Sequence, residues 1–430
     1  MARRPQIIDA LNARGGYALV IAQAPGRRLS IRNCAALSVR DESAVAAAVA
    51  AADVVLTAVG VDSLAAITPA IARGLAQRGR AGGCRPLDVI ACENLPGARG
   101  YLRHHVLSVA PPWDAPAVER VGGFSAALTR RIMTGGTLED GELTFTVDAA
   151  CDLIVDAHGL KAPAALEWAT LTEEFPALVM RKLFLLNCAH AAAAYLGYRE
   201  GCRYIHEAVR HPRVAPILRG ALGEARAALA AEFPHQAEAI AREAHEALVQ
   251  IANPYLADPI SRVARDPCRK LSPLERLVGP ARLASRRGLP HDRLCLAIAA
   301  ALAYANPADP QAVAMQRAIR TEGVDRILTE ACGLLPHEPL AREVKRHWAS
   351  LVDDPARRAS QPVPAAPLHS WCSPTLDEIM RSVAADLNGR YDPRLVAEVL
   401  SRVAQEFRSA RVPPSLRERG QGARSATLTR

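Results

Sequence analysis

Ala52-Asp53-Val54-Val55-Leu56-Thr57-Ala58-Val59-Gly60 is the stretch that decides the fold class. Its continuous, β-branched apolar character is that of a buried parallel strand, because a strand covered by helices on both faces has no polar side to alternate. Val61 to Gln77 then carries apolar residues at helical spacing, and Leu87 to Ala91, LDVIA, reads as a second such strand. Strand, helix and strand in that succession make a βαβ unit, and the architecture implied is α/β, an open Rossmann-like parallel sheet. Leu143–Val147 and Cys151–Val155 add two further strands, reached through a glycine-rich and irregular stretch around Gly122 to Gly136.

From about Thr170 the pattern turns helical almost without interruption. Thr170 and Glu173 fit a capping box, Pro176 fits the first turn, and the apolar run to Leu196 stops before Gly197. The domain plan is therefore a sheet domain over 1–170 and an all-α domain over 171–358. SQPVPAAPLHSWCS, within 359–373, reads as a proline-rich linker. Two short amphipathic helices follow over 374–411, a hairpin too small to fold alone and so a candidate surface for self-association. Residues 412–430 read as a disordered tail.

The chain has 430 residues, 50% of them hydrophobic and 23% charged, which allows a large core and excludes global disorder. No uninterrupted apolar run approaches the ~18 residues of a membrane span, and Gln6, Asp9 and Asn12 break what a signal peptide would need to be apolar. A cytoplasmic location without membrane partners is expected. The net charge of +9 contains only four lysines, Lys161, Lys182, Lys270 and Lys345, which leaves 49 arginines among 53 basic residues. No block of like charge stands out, so nucleic acid is not an expected partner. Arginine can replace lysine as a charge but cannot give up a proton near neutrality, so each surviving lysine is informative. Ten cysteines without a CxxC signal neither a disulfide framework nor a zinc knuckle. Cys188 and His190 alone are too few for a metal site, and none is expected.

The chemistry-bearing segment is Arg181-Lys182-Leu183-Phe184-Leu185-Leu186-Asn187-Cys188-Ala189-His190, set in an otherwise apolar helix. At ~100° per residue, Asn187 lies about 140° and His190 about 80° around the axis from Lys182, one broad face and a ridge roughly 12 Å long. Three polar groups buried there without partners would cost several kcal/mol, so the face should open onto water, a ligand or another domain. A satisfied core histidine beside a snorkelling lysine is the competing reading. A lysine in a mostly apolar site has a lowered pKa and serves as a general base. Cys92-Glu93-Asn94 follows LDVIA directly, at the carboxyl end of a strand, where open parallel sheets bind ligands. A structural loop cap is the alternative there.

These residues also carry a resemblance. The chain resembles the polyol-specific long-chain dehydrogenases, in particular those acting on mannitol 1-phosphate. The matching stretches are IIDALNARGGY from Ile7, TAVG and PAIARGL between Thr57 and Leu75, IACEN at Ile90–Asn94, RKLFLLNCAHAAAAYLG at Arg181–Gly197, ANPYLAD at Ala252–Asp258, and RVARDPCRKLS with RGLPH up to His291. The resemblance implies an NAD-dependent oxidoreductase that moves hydride between a nicotinamide and a secondary alcohol, interconverting mannitol 1-phosphate and fructose 6-phosphate. Lys182 would match the general base, Asn94 and Asn187 would stabilise the developing alkoxide, and His190 would orient a substrate hydroxyl. Ala58, Val59, Gly60 and Glu93 would lie on the cofactor. Arg262 and Lys270 match substrate-contacting positions, and with Arg265 and Arg269 they would hold the sugar phosphate. Read without the family, RVARDPCRKLS is a solvated basic loop.

Two departures qualify the transfer. The family begins with a strand, a GxGxxG turn and a helix before the equivalent of IIDALNARGGY, which here starts at residue 7, and no GxGxxG occurs in this sequence. The expectation is that Met1 lies downstream of the true start. The alternatives are a truncated relative that no longer binds dinucleotide and serves as a sugar-phosphate-binding or assembly protein, or a reductase of non-phosphorylated polyols or hexuronates. At Ser125–Ile132, SAALTRRI, the family's aspartate before Arg131 is replaced by Arg130, which reverses a charge near the substrate.

Overall fold

LDVIA forms the fully buried strand that its composition demands, and the rest of the first domain is arranged about it. The structure, a computed structural model, describes residues 4–81 and 85–353, without the side chain of residue 62. The hairpin, linker and tail expected over 359–430 lie outside the described residues. The chain opens with α1 (Pro5–Arg14), β1 (Gly16–Ile21), β2 (Arg27–Arg32), α2 (Glu42–Ala51), β3 (Val54–Thr57), α3 (Val61–Arg80) and β4 (Leu87–Ala91). There follow α4 (Ala98–Val109), α5 (Ala115–Val121), β5 (Gly122–Leu128), β6 (Met133–Glu139), β7 (Glu142–Val147), β8 (Ile154–Asp156) and β9 (Thr170–Thr172).

Two sheets result. The larger has the order β3-β4-β5-β8-β9, parallel from β3 to β5, with β8 antiparallel to β5 and β9 parallel to β8. The smaller, β2-β1-β7-β6, is antiparallel except for the β1–β7 pair. The expected βαβ unit is present as β3, α3 and β4, but β3 is four residues long and, among the described residues, pairs on one side only. Leu56 is consequently 46% exposed, so the opening stretch is an edge strand rather than a strand buried on both faces.

The stretch around Gly122 is not irregular. Gly122 to Leu128 is β5, buried at every position and central in its sheet. Its glycines reflect crowding: a Cβ on Gly123 would fall 1.8 Å from Asp88 Oδ1, whose carboxylate accepts hydrogen bonds from the backbone N–H groups of Lys161 and Ala162. Residues 151–153 lie outside β8, so the expected strand there shrinks to three residues.

The helical domain starts at α6 (Phe175–Lys182). The capping box expected at Thr170 does not form, because Thr170 is drawn into β9 by pairing with Ile154. Glu174 is the N-cap residue instead, and its N–H donates to the Thr172 hydroxyl. A π turn (Leu183–Asn187) joins α6 to α7 (Cys188–Arg199). The helices α8 (Ile205–Arg210), α9 (Ala215–Glu232), α10 (Ala237–Ile251), α11 (Ile260–Ala264), α12 (Pro267–Lys270) and α13 (Val278–Arg286) follow. The last described helices are α14 (Asp292–Leu302), α15 (Pro310–Glu322), α16 (Val324–Glu330) and α17 (Pro339–Val352).

The alanine run Ala191–Ala194 lets neighbouring helices approach α7 closely, and a Cβ on Gly197 would meet Ala208 Cβ at 2.5 Å. Residues 175–199 are the one helix among the described residues long and apolar enough to cross a membrane. With 72% of its apolar window buried inside the protein, it is the central core helix of this domain.

Candidate active site

Two elements from different domains meet at Lys182. It is the last residue of α6, and its ammonium donates a 2.6 Å hydrogen bond to Asn94 Oδ1, just beyond the carboxyl end of β4. Arg181, beside it, is buried and holds Glu243 through two hydrogen bonds of 2.9 and 2.5 Å and Gln236 through a third of 2.9 Å, which fixes this end of α6. Burial pushes the Lys182 ammonium down to about 8, and the positive charge of Arg276 adds to the effect against the opposing pull of Glu275 and Asp152.

The π turn immediately after Lys182 carries the next residues of the motif. Its i→i+5 bonding places one extra residue in the turn, so the uniform 100° step assumed for a plain α-helix does not hold between Lys182 and Asn187. Asn187 is buried and its Nδ2 has no hydrogen-bond partner among the described residues. His190 does not share the Lys182–Asn94 bond. Its Nε2 lies 2.8 Å from Asp258 Oδ2, and Asp258 also accepts two 2.6 Å bonds from Arg262. Burial depresses the His190 imidazole in spite of Asp258. Burial alone would raise the Asp258 carboxyl, and the bonds from His190 and Arg262 overcome it and hold it below its ordinary value.

The basic loop is not simply solvated. Lys270 is buried, and burial with Arg269 and Arg276 nearby drives its ammonium well below its ordinary value. Arg262 is engaged by Asp258, and Arg265 lies 3.5 Å from Asp266 on the exposed rim. Arg269 reaches Asp266 at 3.9 Å and Glu275 at 3.8 Å. Arg276, not singled out by sequence reasoning, is buried with a 2.8 Å bond from Nε to Glu275 and a buried Nη2 without a partner among the described residues. Its charge acts on Lys182, His190 and Lys270 alike, which makes it the electrostatic centre of the site. Its only sequence signal was its place six residues after Lys270. Asp258 ends ANPYLAD, where nothing in the sequence distinguishes it from a surface acid.

Across the sheet edge, Glu93 is buried and accepts 2.9 Å from Val59 N and 2.7 Å from Thr57 Oγ1. It ties the ends of β3 and β4 together. Ala58, Val59 and Gly60 are exposed, and Gly60, at φ 85°, has open space where a Cβ would stand. Arg130 is paired at 3.0 Å with Asp152 and at 3.3 Å with Glu246, so the reversed charge has local partners.

Residues 2–169 match the mannitol dehydrogenase Rossmann domain, and residues 175–351 match the mannitol dehydrogenase C-terminal domain. The chain belongs to the mannitol dehydrogenase family. This family member is an oxidoreductase, an NAD-dependent polyol dehydrogenase. It is 36% identical over 349 residues to mannitol-1-phosphate 5-dehydrogenase of Brevibacillus brevis, a match covering 81% of this chain and 90% of the relative. Mannitol 2-dehydrogenase of Pseudomonas fluorescens, solved as a ternary complex with NAD and D-mannitol, shares the mannitol dehydrogenase fold at a TM-score of 0.66 and 17% identity, over 81% of this chain and 83% of that one. A substrate-free D-sorbitol dehydrogenase superposes at a TM-score of 0.59 and 15% identity, over 82% and 84%.

Proposed function

We propose that this mannitol dehydrogenase family member interconverts mannitol 1-phosphate and fructose 6-phosphate with NAD, using Lys182 as general base. The observation that carries the reading is the half-buried Lys182 ammonium, depressed to about 8 and bonded to Asn94 where the two domains meet. A base with a pKa near the working pH accepts the alcohol proton readily and returns it readily in the reverse direction. NAD, when bound, accepts the hydride from the carbinol carbon. Ala58, Val59 and Gly60 fit its nicotinamide end, being exposed backbone at the carboxyl edge of the sheet with open space at Gly60. Glu93 serves the cofactor indirectly, by fixing the Val59 amide.

In the oxidation direction, neutral Lys182 takes the hydroxyl proton, and Asn94 orients the amine. Asn187 Nδ2, a buried donor without a partner, is suited to the oxygen on which negative charge develops. His190, held by Asp258, orients a neighbouring hydroxyl. Arg269 and the unpartnered Arg276 Nη2 supply positive charge for the phosphate, and Lys270, whose charged form burial disfavours, is drawn back to its ammonium by the phosphate dianion, while Arg262 and Arg265 are occupied by Asp258 and Asp266 and contribute from the rim.

The test is NADH oxidation by the purified chain with fructose 6-phosphate against fructose. Phosphate-dependent turnover that Lys182→Ala abolishes supports the reading. Equal rates with both ketoses would move it to a non-phosphorylated polyol. Failure of the purified chain to bind NADH in a fluorescence titration would overturn the reading.

A further inference from the structure

The helical domain carries a second cluster of chemistry-bearing side chains, away from the residues assigned above. His291 is the N-cap residue of α14 and Cys295 lies one turn into that helix, while Glu343 and His347 are one turn apart on α17. The i, i+4 spacing turns each pair to one side of its helix. One ligand atom each from His291, Cys295 and Glu343 lie within 4.8 Å of one another, and Asp292, Glu343 and His347 satisfy the same limit. Glu343 belongs to both groups.

Hydrogen bonding has already prepared His291 as a ligand. Its Nδ1 lies 2.8 Å from the Leu289 carbonyl oxygen, which only accepts, so Nδ1 carries the proton. In the neutral ring Nε2 is then a lone pair, and it faces Glu343 Oε2 at 3.2 Å. Two acceptors at that separation repel unless a proton or a metal cation lies between them. An Nδ1–H bonded to a backbone carbonyl is also the outer partner that metal-bound imidazoles use to fix their tautomer.

We propose that His291, Cys295 and Glu343 form a zinc site that clamps α14 to α17, with His347 or water as the fourth ligand. A thiolate, an imidazole and a carboxylate make a set that favours Zn2+ over the oxygen-seeking Mg2+ and Ca2+. Tetrahedral zinc, with bonds of about 2.0–2.3 Å, sets its ligand atoms about 3.3–3.8 Å apart, so closing the triad needs side-chain rotation. Arg346 is the competing cation, at 3.4 Å from Asp292 and 3.6 Å from Glu343, and its side chain is 67% exposed and free to swing outward. Cys295 is fully buried, and burial raises its thiol, so the free site holds the proton. Binding forms the Zn–S bond, breaks the S–H bond and releases one proton to the buffer, which makes affinity rise with pH.

The test uses tag-free protein stripped with a chelator and titrated with Zn2+ against a chromophoric competitor. One equivalent per chain at micromolar or lower Kd is expected, with release of about one proton and a raised Tm. Co2+ in place of zinc is expected to give a near-ultraviolet thiolate-to-metal charge-transfer band. Cys295→Ala should abolish that band and weaken zinc binding at least tenfold, whereas Cys151→Ser, an exposed thiol in the other domain, should change neither. Should Cys295→Ala fail to fold, Glu343→Gln, at a part-exposed position, is expected to weaken zinc binding at least tenfold as well. Absence of saturable zinc uptake at micromolar free ion, or unchanged affinity in Glu343→Gln, overturns the proposal. So does a charge-transfer band that persists in folded Cys295→Ala.

Discussion

Lys182 has to be neutral to accept a proton and charged to return one, and a pKa of about 8 puts that change inside the accessible pH range. The direction of the pH dependence follows. Polyol oxidation needs the free amine, so its kcat/KM is expected to rise through about pH 8 and level off above it; ketose reduction needs the ammonium and is expected to fall over the same interval. Stopped-rate assays in both directions across this range check the pair, and profiles that move together would remove Lys182 as the base. Lys182→Ala should lower kcat at least a thousandfold in either direction, within or beyond the usual reach of a positioned acid–base group, ~10²–10⁴. Asp258 is a positioning residue by contrast, holding His190 on one side and Arg262 on the other. Asp258→Asn should cost tenfold to a hundredfold in kcat/KM through misplacement, with the pH midpoint near 8 retained. A shifted midpoint would instead mean that Asp258 helps set the charge of Lys182.

Two elements carry most of what a residue-by-residue reading could not anticipate. β5 is central and fully buried, yet its glycines looked like a loop, because the signal for a strand is apolar side chains and the need here is for their absence. Gly123→Ala is expected to destabilise by about 2–4 kcal/mol, measured by urea unfolding, because the new methyl displaces the Asp88 carboxylate from the amides it caps. An effect below about 0.5 kcal/mol would show that Asp88 can give way. The π turn is the other element. LFLLN has nothing in its composition that distinguishes it from a plain helix. What was legible were the elements with a period of their own: LDVIA, the helix after Gly60, and the apolar helix bearing Lys182. Of the two lysines that scarcity singles out for chemistry, Lys270 is buried and Lys182 half-buried, and both ammonium groups are held below their ordinary values. Glu275 and Arg276 stayed hidden because a buried ion pair in a loop has the same composition as a solvated one.

At the scale of the whole molecule, Lys182 and Asn94 reach each other only because the helical domain is held against the sheet domain. A small set of polar bonds crosses near the smaller sheet. Asn253 Nδ2 donates to the Ala22 carbonyl at 2.7 Å, Gln250 donates to the Arg130 carbonyl at 2.7 Å and to Asp148, and Glu246 meets Arg130. All the helical-domain partners come from the end of α10 and the ANP segment after it, so this edge acts as one latch. Each bond contributes about 1 kcal/mol net, so Gln250→Ala with Asn253→Ala should cost about 2–4 kcal/mol and lower Tm by several degrees. Neither residue is among those assigned to the reaction. The effect on turnover is therefore a measure of how far catalysis depends on the domain setting. If the latch fixes the Lys182–Asn94 distance, kcat/KM should fall tenfold to a hundredfold while the Lys182 midpoint drifts upward as water enters the loosened interface. Calorimetry and the oxidation pH profile on the same double variant distinguish the cases, since a lowered Tm with an unchanged kcat/KM would mean that the apolar contacts of Phe175, Leu178 and Val179 with the core of the sheet domain hold the two halves in register without the latch.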